Sequence, residues 1–295
     1  MGYLALSVEL EGQDPEGAEA ACFAAGAVSV TLTDAVDDAI LEPAPGEVRL
    51  WPRTVMQALF PAGSAGPEAI IALAGALDLP ASRIRVENIA DRVWEREWLK
   101  DFHAMRFGRR LWVVPNHEPA PADADAVMVR LDPGLAFGTG THPSTALCLT
   151  WLDSRLGPGS IVIDYGCGSG VLAVAAAKLG ASAAHAFDID PQALIATRDN
   201  AAANQVDAQV LVHEDSASLP PQADVVIANI LAGTLVELAP RLCGYLRPGA
   251  QLILAGILKQ QVHEVRAGFS RFLDLTVFAE RDGWSALCGT LPGKA

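Results

Sequence analysis

The sequence predicts an α/β protein with two domains, in which a small ferredoxin-like α+β domain precedes a larger, doubly wound Rossmann-like domain. The chain has 295 residues, more than a usual single domain, and 51% of them are apolar, which is enough for two packed cores. Residues 1–92 alternate strand-like and helix-like stretches. From about residue 126, runs of Val, Ile and Ala alternate with helical stretches, as a sheet covered by helices on both faces requires.

The first domain has the predicted order βαββαβ, for which a ferredoxin-like split βαβ fold is the simplest architecture. Its stretches are YLALSVEL, PEGAEAACFAAGA, VSVTLTDA, EVRLW, PEAIIALAGALD and SRIRVENIA. Residues 93–125 are assigned to a connecting helix and a linker. Trp94, Trp98, Phe102 and Met105 recur at helical spacing, and the later stretch NHEPAPADADA is rich in Pro, Ala and Asp.

The second domain, residues 126–295, is expected to contain a sheet followed by a terminal antiparallel hairpin. The expected sheet strands are SIVID, AHAFDI, AQVLVH, DVVIANI and QLILAGI, and helices should begin near Val171, Pro191 and Leu235. The stretches LDLTVFAE and WSALCGTL form the hairpin, with no clear helix between them.

Charge, cysteine content and hydropathy exclude several classes of protein. A net charge of -14 disfavours nucleic acid as a partner, because such binding depends on Lys and Arg that neutralise phosphates. The five cysteines show no CxxC pairs and no disulfide framework, which indicates reduced thiols in the cytoplasm. The start lacks a basic n-region, and charged or polar residues interrupt the most apolar stretches before the ~18 residues that span a bilayer. Neither secretion nor membrane contact is expected.

The main functional signal is a glycine-rich turn within the stretch IVIDYGCGSGV, which runs from Ile161 to Val171. An apolar strand ends in Asp164 and passes into Gly166 and Gly168, which let the backbone approach a ligand closely. The exposed amides of such a turn and the following helix N-terminus suit a polar or negatively charged group, so these three residues are candidate cofactor contacts. A dinucleotide fingerprint would have Gly at position 171, so the pattern leans away from NAD. A tight strand-to-helix turn without a ligand remains the structural alternative.

Two polar side chains follow later strands of the same sheet. Asp188 comes 22 residues after Gly166, where an acidic side chain can accept hydrogen bonds from ribose hydroxyls. Asp190, which precedes Pro191, is interpreted as a helix N-cap. Asn229 ends strand four beside the expected change of strand order, and its amide can accept a hydrogen bond from a substrate amine. Capping of the next helix is the alternative role of this asparagine.

The loop LDPGLAFGTGTHPST precedes the first strand of the second domain and combines glycines, threonines and one aromatic residue, Phe137. We interpret it as a lid that brings Phe137 and Thr145 to a bound cofactor; the alternative is an ordinary loop that caps a helix at Ser144 or Thr145. His142 lies in this loop, but the histidines form no HxH or HExxH cluster, so no metal is expected. Cys167 has no identifiable partner base, which disfavours covalent catalysis.

These motifs, taken in order, resemble the ribosomal protein L11 methyltransferase (PrmA) family over nearly the whole chain. The resemblance rests on PGEVRLW, WEREW, MRFG, LDPGLAFGTGTHPST, DYGCGSG, DIDP and NILA. It implies a seven-stranded, S-adenosylmethionine-dependent protein N-methyltransferase domain and a ferredoxin-like domain that recognises ribosomal protein L11. The expected products are methylated lysine side chains and a methylated N-terminal α-amine. By motif position, the cofactor contacts fall on Thr145, Gly166, Asp188 and Asn229, and Asn229 is also our catalytic candidate.

Three other functions compete with this interpretation. An NAD-dependent oxidoreductase would share the strand, turn and helix and Asp188, but Val171 and the glycine-threonine loop disfavour it. A methyltransferase acting on adenine or cytosine would usually carry an Asn-Pro-Pro-aromatic motif where this chain has NILA. An RNA-binding module would need a basic face or stacking aromatic residues, neither of which the first domain shows.

Overall fold

The structure, a computed structural model, describes residues 2–10, 12–35, 53–61, 67–89, 103–131 and 141–293. The chain divides into two compact units, Met1–Glu97 and Trp98–Ala295. The boundary at residue 92 that the sequence suggested stays a prediction. None of the helices in the described ranges is both long enough and apolar enough to cross a membrane.

The first unit contains a four-stranded antiparallel sheet and two helices in the order βαββαβ. The strands lie in the order β2-β3-β1-β4. Leu6, Met56, Phe60 and Leu73 are fully buried in the core that the strands and helices share. The elements are β1 (Tyr3–Leu10), α1 (Pro15–Ala24), β2 (Ser29–Asp34), β3 (Thr54–Pro61), α2 (Pro67–Ala76) and β4 (Arg85–Ile89).

In this half of the chain, the structure leaves one expected strand untested, adds a strand and corrects one expectation. The expected strand EVRLW lies outside the described residues, whereas Thr54–Pro61, which the sequence analysis assigned to no element, forms β3. Met105, assigned to a connecting helix from its spacing, instead begins strand β5 (Met105–Phe107). This strand pairs with β6 (Leu111–Val114), and β6 pairs with β7 (Val127–Arg130). Strand pairing thus overrides the helical spacing at this point.

The second unit contains a seven-stranded sheet in the order β10-β9-β8-β11-β12-β14-β13. The pairs from β10 to β12 are parallel, and β14 runs antiparallel to both β12 and β13. The five expected sheet strands and the terminal hairpin are therefore confirmed. The strands are β8 (Ile161–Tyr165), β9 (Ala183–Phe187), β10 (Val210–His213), β11 (Ala223–Asn229), β12 (Leu246–Leu258), β13 (Thr276–Arg281) and β14 (Trp284–Thr290).

Helices cover both faces of this sheet, and the central strands are buried on both sides. Along β11, Val225 and Ile227 belong to one core and Val226 and Ala228 to the other, which explains the continuous apolar run. Of the five helices described in this unit, those expected at Val171 and Pro191 are confirmed, the one expected near Leu235 begins at Ala232, the one that begins at Pro143 was considered only as an alternative, and the last was missed. They are α3 (Pro143–Arg155), α4 (Val171–Lys178), α5 (Pro191–Ala203), α6 (Ala232–Gly244) and α7 (Val262–Phe269).

Asp153 connects the last part of α3 to the β5–β6 hairpin. Its side chain is only 1% exposed, and its carboxylate accepts hydrogen bonds from the backbone N–H groups of Arg109, Arg110 and Leu111. A Cβ at Gly108 would approach the same carboxylate to 2.4 Å, so the turn closes tightly on Asp153. One buried side chain therefore provides the acceptor for these three hairpin amides and attaches the helix to the hairpin.

Replacement of this carboxylate is expected to destabilise the fold. Asp153→Ala should lower the free energy of unfolding by about 2–4 kcal/mol, because the amides it serves lose their acceptor. Urea denaturation followed by circular dichroism measures this change. Ser285→Ala is the control, since the Ser285 hydroxyl is buried and has no hydrogen-bond partner among the described residues. Its removal should leave stability unchanged or raise it, and a loss as large as that of Asp153→Ala would contradict the explanation.

Candidate active site

The candidate residues lie at the carboxyl ends of β8, β9 and β11. The glycine turn follows β8, Asp188 follows β9, and Asn229 is the last residue of β11. The strand order reverses between β8 and β11, and ligands of open α/β sheets bind in the crevice at such a point. The structure thus brings the glycine turn, the acid and the amide to one edge of the sheet.

Four amide groups of the glycine turn already donate hydrogen bonds within the protein. The N–H groups of Gly166 and Cys167 donate to the carbonyl oxygen of Phe187, at 2.8 and 3.0 Å. The N–H of Gly168 donates to the Asp188 carboxylate at 2.9 Å, and the N–H of Gly170 donates to the carbonyl oxygen of Cys167 at 2.8 Å. The expectation of exposed amides in the turn is therefore wrong for these four. The turn is not built as a phosphate cradle, which weakens the dinucleotide alternative.

Asp188 has a structural role that the sequence did not reveal. One carboxylate oxygen accepts the Gly168 N–H bond, and the other accepts from the N–H of Asp190 at 3.0 Å. Each carboxylate oxygen can accept more than one hydrogen bond, and the residue is partly exposed. Asp188 can therefore hold the turn and still receive ribose hydroxyls. The capping interpretation of Asp190 is confirmed, because its side chain accepts from the N–H of Gln192.

Asp164 is a fully buried carboxyl group with one unsatisfied oxygen. Its Oδ2 accepts the N–H of Ala173 at 3.0 Å, whereas its Oδ1 is buried without a hydrogen-bond partner in the described part of the chain. Burial raises the pKa of this carboxyl to about 7; the negative charge of Asp188 adds to the rise, and the bond from Ala173 opposes it. A buried oxygen that lacks a donor marks a place where a ligand donor or cation would be stabilised.

Asn229 is held by a hydrogen bond to the first turn of α3. Its Nδ2 donates to the hydroxyl oxygen of Thr145 at 3.1 Å, and Thr145 is only 3% exposed. No described residue donates to the carbonyl oxygen Oδ1 of Asn229, which leaves this oxygen as an acceptor. The alternative capping role of Asn229 is wrong, because α6 has Leu231 as its N-cap. The alternative cap at Ser144 or Thr145 is also wrong, since His142 caps α3.

Ile230, the residue after Asn229, is enclosed by two glycines. A Cβ at Gly166 would lie 2.4 Å from Cγ2 of Ile230, and one at Gly256 would lie 2.3 Å from its carbonyl oxygen. Gly256 has a φ of +79°, and the β12–β14 register shifts around it. The sequence analysis did not single out Gly256. The position of Asn229 therefore depends on a glycine in the neighbouring strand.

Cys167 is a packing residue. Its sulfur lies 3.3 Å from the hydroxyl oxygen of Thr197, which in turn donates to the carbonyl oxygen of Gly168 at 3.1 Å. Burial raises the pKa of the Cys167 thiol, so the nucleophilic thiolate is disfavoured. The described ranges hold no group of three or more His, Cys, Asp or Glu side chains placed to bind a metal ion. Phe137 and most of the predicted lid lie outside the described residues, so the lid stays a prediction.

The strand order together with the glycine turn and the acid after β9 defines a Rossmann-like methyltransferase fold of the kind that binds S-adenosylmethionine. Residues 2–291 match the family described as Ribosomal protein L11 methyltransferase (PrmA), and the chain belongs to that family. The resemblance found in the sequence is thus confirmed.

Relatives named Ribosomal protein L11 methyltransferase match almost the full chain. The protein of Pseudomonas aeruginosa strain LESB58 is 51% identical over 292 residues, which are 98% of this chain and 98% of that protein. The protein of Azotobacter vinelandii is 51% identical over 268 residues, 90% of each. A crystal structure described as ribosomal protein L11 methylase from Lactobacillus delbrueckii subsp. bulgaricus is 30% identical, with a TM-score of 0.59 over 65% of this chain and 98% of that one.

A methyl group added at Gly256 should impair methyl transfer. Gly256→Ala should lower the rate by about 10²-fold, because the new Cβ would displace Ile230 and with it Asn229. Gly249→Ala is the matched control: Gly249 lies in the same strand with a φ of +82°, but a Cβ there would meet no atom within 4 Å. Both variants bear a similar backbone strain. Equal losses of turnover in the two variants would show that strain, not displacement of Ile230, is responsible.

Proposed function

We propose that this chain transfers methyl groups from S-adenosylmethionine to lysine side chains and to the N-terminal α-amine of ribosomal protein L11. The observation that carries the proposal is the Asn229 amide, which Thr145 holds beside the glycine turn with its carbonyl oxygen left as an acceptor. An oxygen in this position suits an amine N–H donor. We infer the substrate from the names of the relatives, since each is called a ribosomal protein L11 methyltransferase.

The residues at the strand ends fit S-adenosylmethionine. Asp188 suits the ribose hydroxyls, and the glycine turn, whose amides are already satisfied, suits a ligand that carries no phosphate. The buried Oδ1 of Asp164 suits a cationic donor such as the amino group of the cofactor. Thr145, Asn229 and Phe137 complete the proposed cofactor contacts. When bound, this cofactor supplies a methyl group on an electrophilic sulfonium.

Asn229 orients the substrate amine in the proposed reaction. A free lysine has a pKa of ~10.4, so only about one in 10³ to 10⁴ side chains is neutral at pH 7. Burial next to a cation lowers an amine's pKa and increases the neutral fraction. The carbonyl oxygen of Asn229 accepts one amine N–H, which directs the nitrogen lone pair at the methyl carbon. On transfer, a C–N bond would form as the C–S bond of the sulfonium breaks with the neutral thioether as leaving group, and the surplus proton would pass from the methylated nitrogen to water.

We propose that the first unit is a ferredoxin-like domain that recognises ribosomal protein L11. Its βαββαβ order and its antiparallel strand order β2-β3-β1-β4 support this assignment. The net charge of -14 favours a basic protein over a nucleic acid as partner, and a ribosomal protein is such a partner. We place the reaction in the cytoplasm, where unpaired cysteines such as those of this chain stay reduced.

Intact-mass analysis of unmethylated L11 after incubation with the enzyme and S-adenosylmethionine tests the proposal directly. We expect mass steps of one or more methyl groups. Asp188→Ala should abolish them by weakening cofactor binding, and Asn229→Ala should lower kcat by about 10²-fold. Asp207→Ala, which alters an exposed turn, serves as the control. Full turnover by Asn229→Ala with intact cofactor binding would rule out the role of Asn229, and no transfer by the wild type would rule out L11 as substrate.

Cofactor affinity should depend on pH through Asp164. Its pKa of about 7 in the folded protein lies above the ordinary 3.8, so this carboxyl contributes stability at low pH that is lost as the pH rises through 7. A bound cation favours the carboxylate, so affinity for S-adenosylmethionine should rise as the pH increases from about 6 to 8, with release of a proton. Calorimetry in buffers of different ionisation enthalpy measures this release. Asp164→Asn should abolish it, and equal proton release in both proteins would contradict the assignment.

A further inference from the structure

Helix α3 begins with an unusual cap. His142 is its N-cap, and the imidazole Nδ1 accepts from the N–H of Ser144 at 3.3 Å and lies 2.7 Å from the hydroxyl oxygen of Ser144. The backbone carbonyl of His142 also accepts from the N–H of Ala146. Ser, Thr, Asp and Asn are the preferred residues at an N-cap, so capping alone does not explain a histidine at this position.

The His142 ring also contacts a residue of the sheet. Its centroid lies 4.6 Å from that of Trp284, and the two planes meet at 71°, an edge-to-face arrangement. Trp284 begins β14 and pairs with Leu258 at the end of β12. Because β14 runs antiparallel, its first residue lies at the edge where the parallel strands end. The ring pair therefore joins the start of α3 to the edge of the sheet that carries Asn229.

The start of α3 also carries Thr145. Thr145 lies in the first helical turn after His142, and its hydroxyl oxygen receives the Asn229 Nδ2 bond. A displacement of this turn would move the hydroxyl and release the Asn229 amide to rotate. Burial lowers the pKa of His142, which favours the neutral ring, and the bond from the Ser144 N–H requires Nδ1 to be the nitrogen without a proton.

We propose that His142 and Trp284 are positioning residues for methyl transfer: their rings clamp the first turn of α3, so that Thr145 holds the Asn229 amide in its productive orientation. Neither ring contacts the reacting atoms in this proposal; both act through Thr145. The inference rests on the proposed function, whereas its structural part, the fixed orientation of Asn229, can be observed without turnover.

Kinetics of three single variants and one double variant test the clamp. Trp284→Ala, which keeps the cap but loses the ring contact, should lower kcat by about ten-fold with KM for L11 unchanged. Affinity for S-adenosylmethionine should fall as well, because Thr145 is also a proposed cofactor contact. His142→Asn, which keeps a capping side chain but loses the ring, should have the same effect. The double variant should lose no more than either single variant, because both remove one contact. Trp284→Phe, which restores an aromatic edge, should recover most of the rate.

Nuclear magnetic resonance supplies the readout that does not need activity. The side-chain amide signals of Asn229 should shift or broaden in Trp284→Ala and His142→Asn and return to their wild-type positions in Trp284→Phe. Unchanged Asn229 signals in Trp284→Ala, or additive losses of kcat in the double variant, would overturn the clamp. If the wild-type enzyme leaves L11 unmethylated, the proposed substrate is wrong. The Asn229 signals alone would then test whether the His142–Trp284 contact positions Asn229. Thermal denaturation of each variant separates a local displacement from unfolding.

Discussion

The hydrogen bond from Asn229 to Thr145 joins the two halves of the candidate active site, one on the sheet and one on helix α3. A single bond of this kind contributes only about 1 kcal/mol, so it cannot fix the geometry of both partners unaided. Gly256 lets the backbone after Asn229 lie against β12. At the other end of α3, Asp153 secures the helix to the β5–β6 hairpin. The geometry of the candidate site is therefore distributed over contacts distant from Asn229.

The glycine turn shows why a sequence motif and its chemistry must be separated. Glycines after a parallel strand are typical of phosphate-binding folds, and the sequence alone leaves that possibility open. In this chain the amides of Gly166, Cys167 and Gly168 donate hydrogen bonds to Phe187 and Asp188. The positive φ angles thus fold the turn onto the end of the next strand. Near the turn, the buried polar atom that has no partner among the described residues is Oδ1 of the Asp164 carboxyl group. This arrangement favours a cationic, phosphate-free cofactor.

The sequence predicted the features that depend on local patterns and missed those that depend on distant partners. The strands β8 to β12 were predictable because burial on both faces leaves continuous apolar runs. The cap at Asp190 was predictable because acid followed by proline is a local signal. Helical spacing misassigned Met105, because β6, which pairs with it, is not encoded in that spacing. The contacts of His142 and Gly256 were missed for the same reason, since Trp284 lies far along the chain from His142 and Ile230 follows a different strand from the one that holds Gly256.

The choice of an amide at position 229 follows from the proton balance of the proposed reaction. A carboxylate at this place would attract an ammonium ion and raise the pKa of the substrate amine, which would remove the lone pair that attacks. A neutral carbonyl oxygen accepts an N–H bond with much less preference for the protonated form. The acidic groups of the site lie instead at the carboxyl ends of β8 and β9, at Asp164 and Asp188, where the proposed cofactor contacts fall. Charge is thus segregated between the cofactor side and the amine side, and the Thr145 bond keeps the neutral acceptor in place.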